Sequence, residues 1–261
     1  MSYGGSFAVR ILESRRGSDV WERVEGVTGR SAWMEGAEPR EILRWAAGKY
    51  GERLALSLSF GNPEGMVLLD MITRIPEARD TTVFTLDTGF LFEETVRFRE
   101  EVVDRYGIDL QVVRSALSVE EQVERYGEAL RSCKPDLCCQ IRKVEPQKRF
   151  LAGYDAWITG IRRDQTQQRA DTPVVGWEER FEVDKVSPLV AWGSDLVEEY
   201  VREHDVPLNP LLDMGYRSIG CEPQTRPVAP GEDARAGRWA GLDKTECGLH
   251  FAGGEVKRAQ S

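Results

Sequence analysis

Five cysteines are the residues of this 261-residue chain best suited to chemistry, and their positions divide them. Cys138 and Cys139 are adjacent, and Cys221 follows 82 positions later. Thiolates so placed suit zinc or an iron–sulfur cluster. Adjacent cysteines point in different directions, which argues against both being core residues. Three structural or reactive free thiols are the alternative. A complete four-thiolate site calls for a Cys-x-x-Cys pair beginning at Cys221. The chain reads Cys221-Glu222-Pro223-Gln224 instead, so Gln224 stands where the fourth ligand is expected. Cys133 precedes Cys138 by five residues, and no spacing requires it. Cys247 lies three residues before His250, one of only two histidines. The thiolate is the nucleophile, so nearby cations would activate Cys247. An incidental free cysteine is the competing reading.

The cations are unevenly placed. From Arg142 to Arg169 there are seven basic residues (Arg142, Lys143, Lys148, Arg149, Arg162, Arg163, Arg169) against three acidic ones, inside a chain of net charge −9. Arg235 and Arg238 follow in Arg235-Ala236-Gly237-Arg238-Trp239. Guanidinium forks grip phosphate and sulfate oxygens in pairs. Charge runs are otherwise solvated faces that pair with neighbouring acids.

These groups need a scaffold. Apolar spacing predicts helices over 38–50, 66–75, 92–106, 119–130 and 194–203, and strands over 54–58, 82–86, 110–113 and 156–161. Strands alternating with helices imply a mostly parallel sheet with helices on both faces, whose ligands sit beyond the carboxyl ends of the strands. The loop Ser57 to Gly65, with Ser57, Ser59 and Gly61, leads from a strand into a helix and suits an anion. It has neither a Walker A pattern nor a Gly-x-Gly-x-x-Gly pattern, and an ordinary strand-to-helix turn is equally compatible. Asp87 and Thr88 end the second strand, where they suit hydrogen bonds to a base or sugar. Thr88 as a helix N-cap is the plainer reading. Three segments result: a loose stretch over 1–38, an α/β domain over 39–215, and an irregular lid and tail over 216–261.

Composition limits the partners. A pI near 5.0 argues against a general nucleic-acid binder. No apolar run reaches membrane-spanning length, and residues 1–16 lack a secretory-signal layout, so a cytoplasmic location is expected. An odd number of cysteines in such a reducing compartment argues against a disulfide framework.

Together, Leu86-Asp87-Thr88-Gly89, Cys138-Cys139-Gln140-Ile141-Arg142-Lys143-Val144-Glu145-Pro146, Gly160-Ile161-Arg162-Arg163-Asp164-Gln165, Ser218-Ile219-Gly220-Cys221, Arg235-Ala236-Gly237-Arg238-Trp239 and Glu246-Cys247-Gly248-Leu249-His250 make the chain resemble the assimilatory adenylylsulfate (APS) and phosphoadenylylsulfate (PAPS) reductases. The resemblance spans roughly residues 40 to 251. It implies an adenine nucleotide alpha-hydrolase fold, Rossmann-like and related to the ATP pyrophosphatases. It also implies thioredoxin-dependent reduction of adenylylsulfate to sulfite and AMP through an enzyme S-sulfocysteine. Cys247 matches the nucleophile and His250 the histidine beside it. Lys143, Arg169, Arg235 and Arg238 match the basic residues that hold the phosphosulfate. Ser57, Ser59, Gly61, Asp87, Thr88 and Arg162 fall on substrate-binding stretches. The Cys-Cys subgroup implies a [4Fe-4S] cluster on Cys138, Cys139, Cys221 and position 224, which here is Gln224. Thioredoxin or glutaredoxin would be the reductant, and a homo-oligomer is compatible. The same chemistry on PAPS, and an impaired nucleotide-binding variant without a cluster, are the other readings. An adenylating pyrophosphatase is disfavoured, because a Ser-Gly-Gly-x-Asp-Ser loop is missing and the Cys247 tail is present.

Overall fold

The structure is a computed structural model that describes residues 34–242 together with 244, 246 and 248–250. Cys247 and most of the expected loose segment over 1–38 lie outside the described residues; Met34, within that segment, is buried.

Helix α1 (Pro39–Tyr50) buries Ile42, Leu43, Ala46 and Ala47 along one stripe. It ends at Gly51, whose φ of 53° suits glycine and whose N–H closes on the Ala47 carbonyl. β1 (Leu54–Ser57) follows, then α2 (Pro63–Thr73) and β2 (Thr82–Asp87). α3 (Glu93–Tyr106) stops at Gly107 in the left-handed region and leads to β3 (Leu110–Arg114). α4 (Val119–Tyr126) opens with a reciprocal cap, in which Ser118 Oγ accepts from the Glu121 amide and the Glu121 carboxylate accepts from the Ser118 amide.

Short helices α5 (Leu130–Cys133) and α6 (Pro135–Cys139) run into a π-helical turn over Gln140–Val144 and then α7 (Glu145–Leu151). β4 (Ala156–Ile158), the hairpin β5 (Val175–Glu178) and β6 (Val183–Val186), and α8 (Ser194–His204) complete the regular elements.

The six strands form one sheet in the order β3-β2-β1-β4-β6-β5, parallel except for β5 against β6. Alternate residues face opposite sides. Leu54, Leu56, Val83 and Ile158 join residues of α1, α2, α3 and α8 on one face. Ala55, Phe84 and Trp157 meet Val144 and Leu151 on the other, and Leu249 of the C-terminal tail packs there as well. The chain order along the sheet reverses at β1 and β4. A crevice therefore opens beyond their carboxyl ends.

The expected strands and helices are present, with shifted ends. β4 stops at Ile158 and not at Ile161, although the Thr159 amide still reaches the Val186 carbonyl at 2.9 Å. α4 ends at Gly127, with φ 82°, short of the expected residue 130. The helical run over 135–151 and the β5–β6 hairpin were not anticipated. Thr88 is not a helix cap, because α3 starts later, with Phe92 at the cap position. Cys138 and Cys139 are both buried, against expectation. The short helix carrying them is covered on more than one side, with Cys138 packed among Leu130 and Ile141.

Candidate active site

A cavity of about 690 Å³ fills the crevice. Its floor is the loop after β1 and the start of α2: Ser57, Ser59, Asn62 and Glu64 line it. The Leu58 amide extends the ladder to the Phe84 carbonyl, and the chain then turns through Phe60 at φ 55°. A buried aromatic residue in the left-handed region is strained, and such strain concentrates at working sites. Two groups over-determine the turn. Asn209 Nδ2 donates to the Phe60 carbonyl at 2.9 Å, and Asn62 Oδ1 accepts from the Ile219 amide at 3.1 Å. Gly61 does not line the cavity; a Cβ there would come within 3.0 Å of the Ile219 Cβ, so its smallness lets the 218–221 segment seal the loop.

The wall after β4 carries Arg162. Its Nε donates to the Glu64 carboxylate at 3.0 Å and its Nη1 to Asp164 at 2.5 Å, with both Arg162 and Glu64 buried. Gln165 Nε2 donates to the same Glu64 oxygen at 2.8 Å. Arg162 thus lines the cavity with its charge already matched, and it braces β4 against α2. Gly160 lies where these elements touch: a Cβ there would meet the Glu64 Cβ at 2.9 Å.

Lys143 reaches the cavity from the π-helical turn. Pro146 has no N–H to return to the Arg142 carbonyl, which removes one α-helical bond where the wider turn forms. Adjacent Arg142 does different work. Its Nε donates to Gln122 at 2.7 Å, and its other nitrogens donate to the Leu117 and Ser118 carbonyls. Burial lowers the Arg142 pKa despite nearby acids and thiols.

The C-terminal segment closes the cavity with Arg235, Arg238, Glu246, Leu249 and His250. Arg169, buried on the opposite wall, grips Glu246 in two parallel bonds of 2.8 and 2.7 Å. The tail is also held by Lys244 on Asp136, by Arg180 on the Gly248 carbonyl, and by His250 stacked on Trp157 at 5.5 Å between ring centres. His250 Nδ1 is sealed from solvent with no hydrogen-bond partner among the described residues. Burial, then the cations of Lys185, Arg169, Arg235 and Lys143, hold the His250 pKa well below the usual histidine range. It is therefore a neutral imidazole at pH 7.

The expected site residues divide accordingly. Ser57, Ser59, Thr88, Lys143, Arg162, Arg169, Cys221, Arg235, Arg238 and His250 converge on the cavity. Asp87 does not; its carboxylate accepts from the Gly89 amide at 3.0 Å and from Arg114 Nε at 3.1 Å, and faces Arg99. Glu64, Asn209 and Glu246 were missed as individual site residues. Their partners lie far away in sequence, and only the position of Glu246 in the Glu-Cys-Gly-Leu-His run gave a signal.

The thiols do not complete a ligand set. Cys221 lines the cavity and lies 3.5 Å from Thr88 Oγ1. Burial, then the nearby Cys221, pushes the Cys138 thiol up in pKa and away from the thiolate form. No group of three or more His, Cys, Asp or Glu side chains among the described residues is placed to hold a metal ion. Gln224, at the expected fourth position, donates its amide to the Arg131 carbonyl at 2.6 Å. These residues do not fit a four-thiolate cluster.

A model of the phosphoadenosine phosphosulfate reductase domain matches residues 53–227. This chain belongs to that family. Adenosine 5'-phosphosulfate reductase of Streptomyces coelicolor is 47% identical over 217 residues, covering 83% of this chain and 90% of that protein. Adenosine 5'-phosphosulfate reductase 2 of Bacillus subtilis is 46% identical over 211 residues, covering 80% and 88%. The crystal structure of phosphoadenylyl-sulfate (PAPS) reductase from Candida auris, a phosphate complex, superposes with a TM-score of 0.67 at 30% identity, covering 85% of this chain and all of that one. The FMN adenylyltransferase of Candida glabrata, bound to ATP, shares the fold at a TM-score of 0.54 and 16% identity, over 77% of this chain and 64% of its own. The reductase-family chain is thus an adenine nucleotide alpha-hydrolase fold and an oxidoreductase acting on sulfur compounds.

Proposed function

We propose that the protein reduces adenylylsulfate to sulfite and AMP in sulfate assimilation. The observation that carries this reading is the convergence of Lys143, Arg169, Arg235 and Arg238 on one cavity beside the β1–α2 loop, at the sheet position where nucleotides bind. The names of the relatives agree with it. A thiolate attacking an anhydride of phosphate and sulfate approaches two negative groups. Fixed cations offset that repulsion and stabilise the charge that develops on the departing phosphate.

In this reading the Cys247 sulfur attacks the sulfuryl sulfur. A sulfur–sulfur bond forms, the bond from that sulfur to the bridging oxygen breaks, and AMP leaves with the oxygen and its electron pair. A thiolate of thioredoxin or glutaredoxin then attacks the Cys247 sulfur and expels sulfite. The reductant's second thiol resolves the mixed disulfide, supplying the second of the two electrons. Neutral His250 can accept or donate a hydrogen bond near this exchange, but carries no cation to the site. The segment over 216–250 acts as the lid that excludes water.

The test is sulfite release from adenylylsulfate with thioredoxin, compared with release from PAPS and with a Cys247→Ser variant. The expected result is faster turnover of adenylylsulfate, no turnover by the variant, and a sulfonate adduct on Cys247 when the reductant is withheld. Equal rates for wild type and variant would refute the role of Cys247. Faster turnover of PAPS would reassign the substrate.

A further inference from the structure

Glu246 sits where a substrate anion is expected. Its side chain is 2% exposed, and both of its oxygens are saturated. Oε1 accepts from Arg169 Nε at 2.8 Å and from Thr166 Oγ1 at 3.1 Å. Oε2 accepts from Arg169 Nη2 at 2.7 Å and from Arg235 Nη2 at 3.3 Å. Two guanidinium groups and a hydroxyl around one small planar anion are what a sulfate or phosphate face would also use. Arg169 is further held by Gln165, whose amide is tied to Glu64, so the cradle is fixed from behind. A carboxylate and a second anion cannot share these donors, since like charges at contact distance repel strongly away from bulk water.

We propose that Glu246 is an internal competing anion, which fills the Arg169–Arg235 cradle when no ligand is bound and yields it to the anionic group of the substrate. This rests on the reading that the cavity binds an adenylylated sulfate. Glu246 precedes Cys247 in sequence, so the exchange links arrival of the substrate anion to release of the residue beside the nucleophile. The remaining anchors, Lys244 on Asp136, Arg180 on the Gly248 carbonyl, and Leu249 and His250 on the second sheet face, do not involve the carboxylate. The tail therefore stays docked while the carboxylate swings out. The exchange also lowers apparent affinity for any anion, because only molecules with an empty cradle are competent to bind it.

Calorimetric titration of wild type, Glu246→Gln and Glu246→Ala with inorganic sulfate, AMP and adenosine tests the exchange without turnover. Both variants are expected to bind sulfate or AMP on the order of tenfold more tightly, with adenosine affinity unchanged. Unchanged or weaker anion binding by folded variants would overturn the proposal, because a carboxylate that merely positions the tail would give that result. A wild-type measurement stands apart from the variants: sulfate should accelerate amide hydrogen exchange at Glu246, and adenosine should not. Slower exchange with sulfate would also overturn it. If wild type binds AMP and turns over adenylylsulfate while the variants behave like wild type, only the exchange fails; if wild type binds neither AMP nor adenylylsulfate, the functional reading fails with it.

Discussion

Gly220→Ala separates the anion-binding role of Arg238 from the stability of the lid. A Cβ at position 220 would lie 2.2 Å from Arg238 Nη2 and 2.4 Å from its Cζ. Gly220 has no positive φ, so alanine is not strained on the backbone. The flexible partner must give way, and the guanidinium leaves its place. In the folded state this forfeits two long hydrogen bonds, 3.3 Å each to Ser218 Oγ and the Ile219 carbonyl, and a stack over Trp239 at 4.5 Å. At ~0.5 kcal/mol for each weak bond and ~0.5–1 kcal/mol for the cation–π contact, the loss is about 1.5–2 kcal/mol. The expected fall in Tm is then roughly 3–8 °C. Losing a charge-assisted contact to the ligand, about 1.5–3 kcal/mol, corresponds to roughly 10- to 150-fold weaker AMP binding. The assay is AMP titration beside thermal unfolding for Gly220→Ala, Arg238→Ala and the double variant. Because both changes act through one guanidinium, the double variant should be little worse than Arg238→Ala alone. Additive losses, or wild-type affinity in Gly220→Ala, would refute the placement of Arg238 at the anion.

Three further outcomes are expected. Glu64→Gln leaves the buried Arg162 with Asp164 as its remaining carboxylate partner and should cost about 1–3 kcal/mol in urea unfolding, whereas Asp87→Asn, facing Arg99 and Arg114 outside the cavity, should leave AMP affinity within about twofold. His250 has a folded-state pKa held below the unfolded value near 6.5, so its contribution is fully present above that pH and is lost as pH falls below it, by up to about 1.4 kcal/mol per unit; His250→Asn should flatten the difference in Tm between pH 7.5 and roughly pH 5.5. Gln224→Cys should raise the iron and sulfide content of anaerobically purified protein above that of wild type, read by metal analysis and absorbance; identical content in both would show that Gln224 does not limit cluster assembly.

The parts legible in the sequence are those governed by local periodicity. β1, β2 and the stripes of α1 and α3 follow from apolar spacing and from glycines at helix ends, such as Gly51 and Gly107. The run over 135–151 was not legible, because Pro135, Pro146 and a widened turn break the 3.6-residue rhythm. β6 was hidden by charge. Asp184 and Lys185 lie within a buried strand, where Asp184 accepts from Lys49 and Tyr50 and Lys185 faces Glu178. The partners of Asp184 lie about 135 positions away, and Glu178, though only seven residues from Lys185, meets it only once the β5–β6 hairpin has formed, so the periodicity of the segment does not show that the charges are matched.

The same non-locality explains the site. Composition revealed an excess of Arg and Lys within 142–169, but not what each cation faces. Arg142 is committed to Gln122 and two carbonyls, Arg162 to Glu64 98 positions away, and Arg163 to Glu35. Each of these holds one element against another. Arg169 and Arg235 face a carboxylate from the tail, and that partner differs in kind, since it belongs to a segment held by a few anchors and not to the sheet. A cation matched by a fixed acid, such as Arg162, is not available to a ligand without leaving a buried charge behind. A cation matched by an acid on a separately anchored tail can be handed over, because the displaced carboxylate can return to water. A cation already matched by an acid therefore becomes available to a ligand where that acid can leave, and among the described residues the Arg169–Glu246–Arg235 cluster meets that condition.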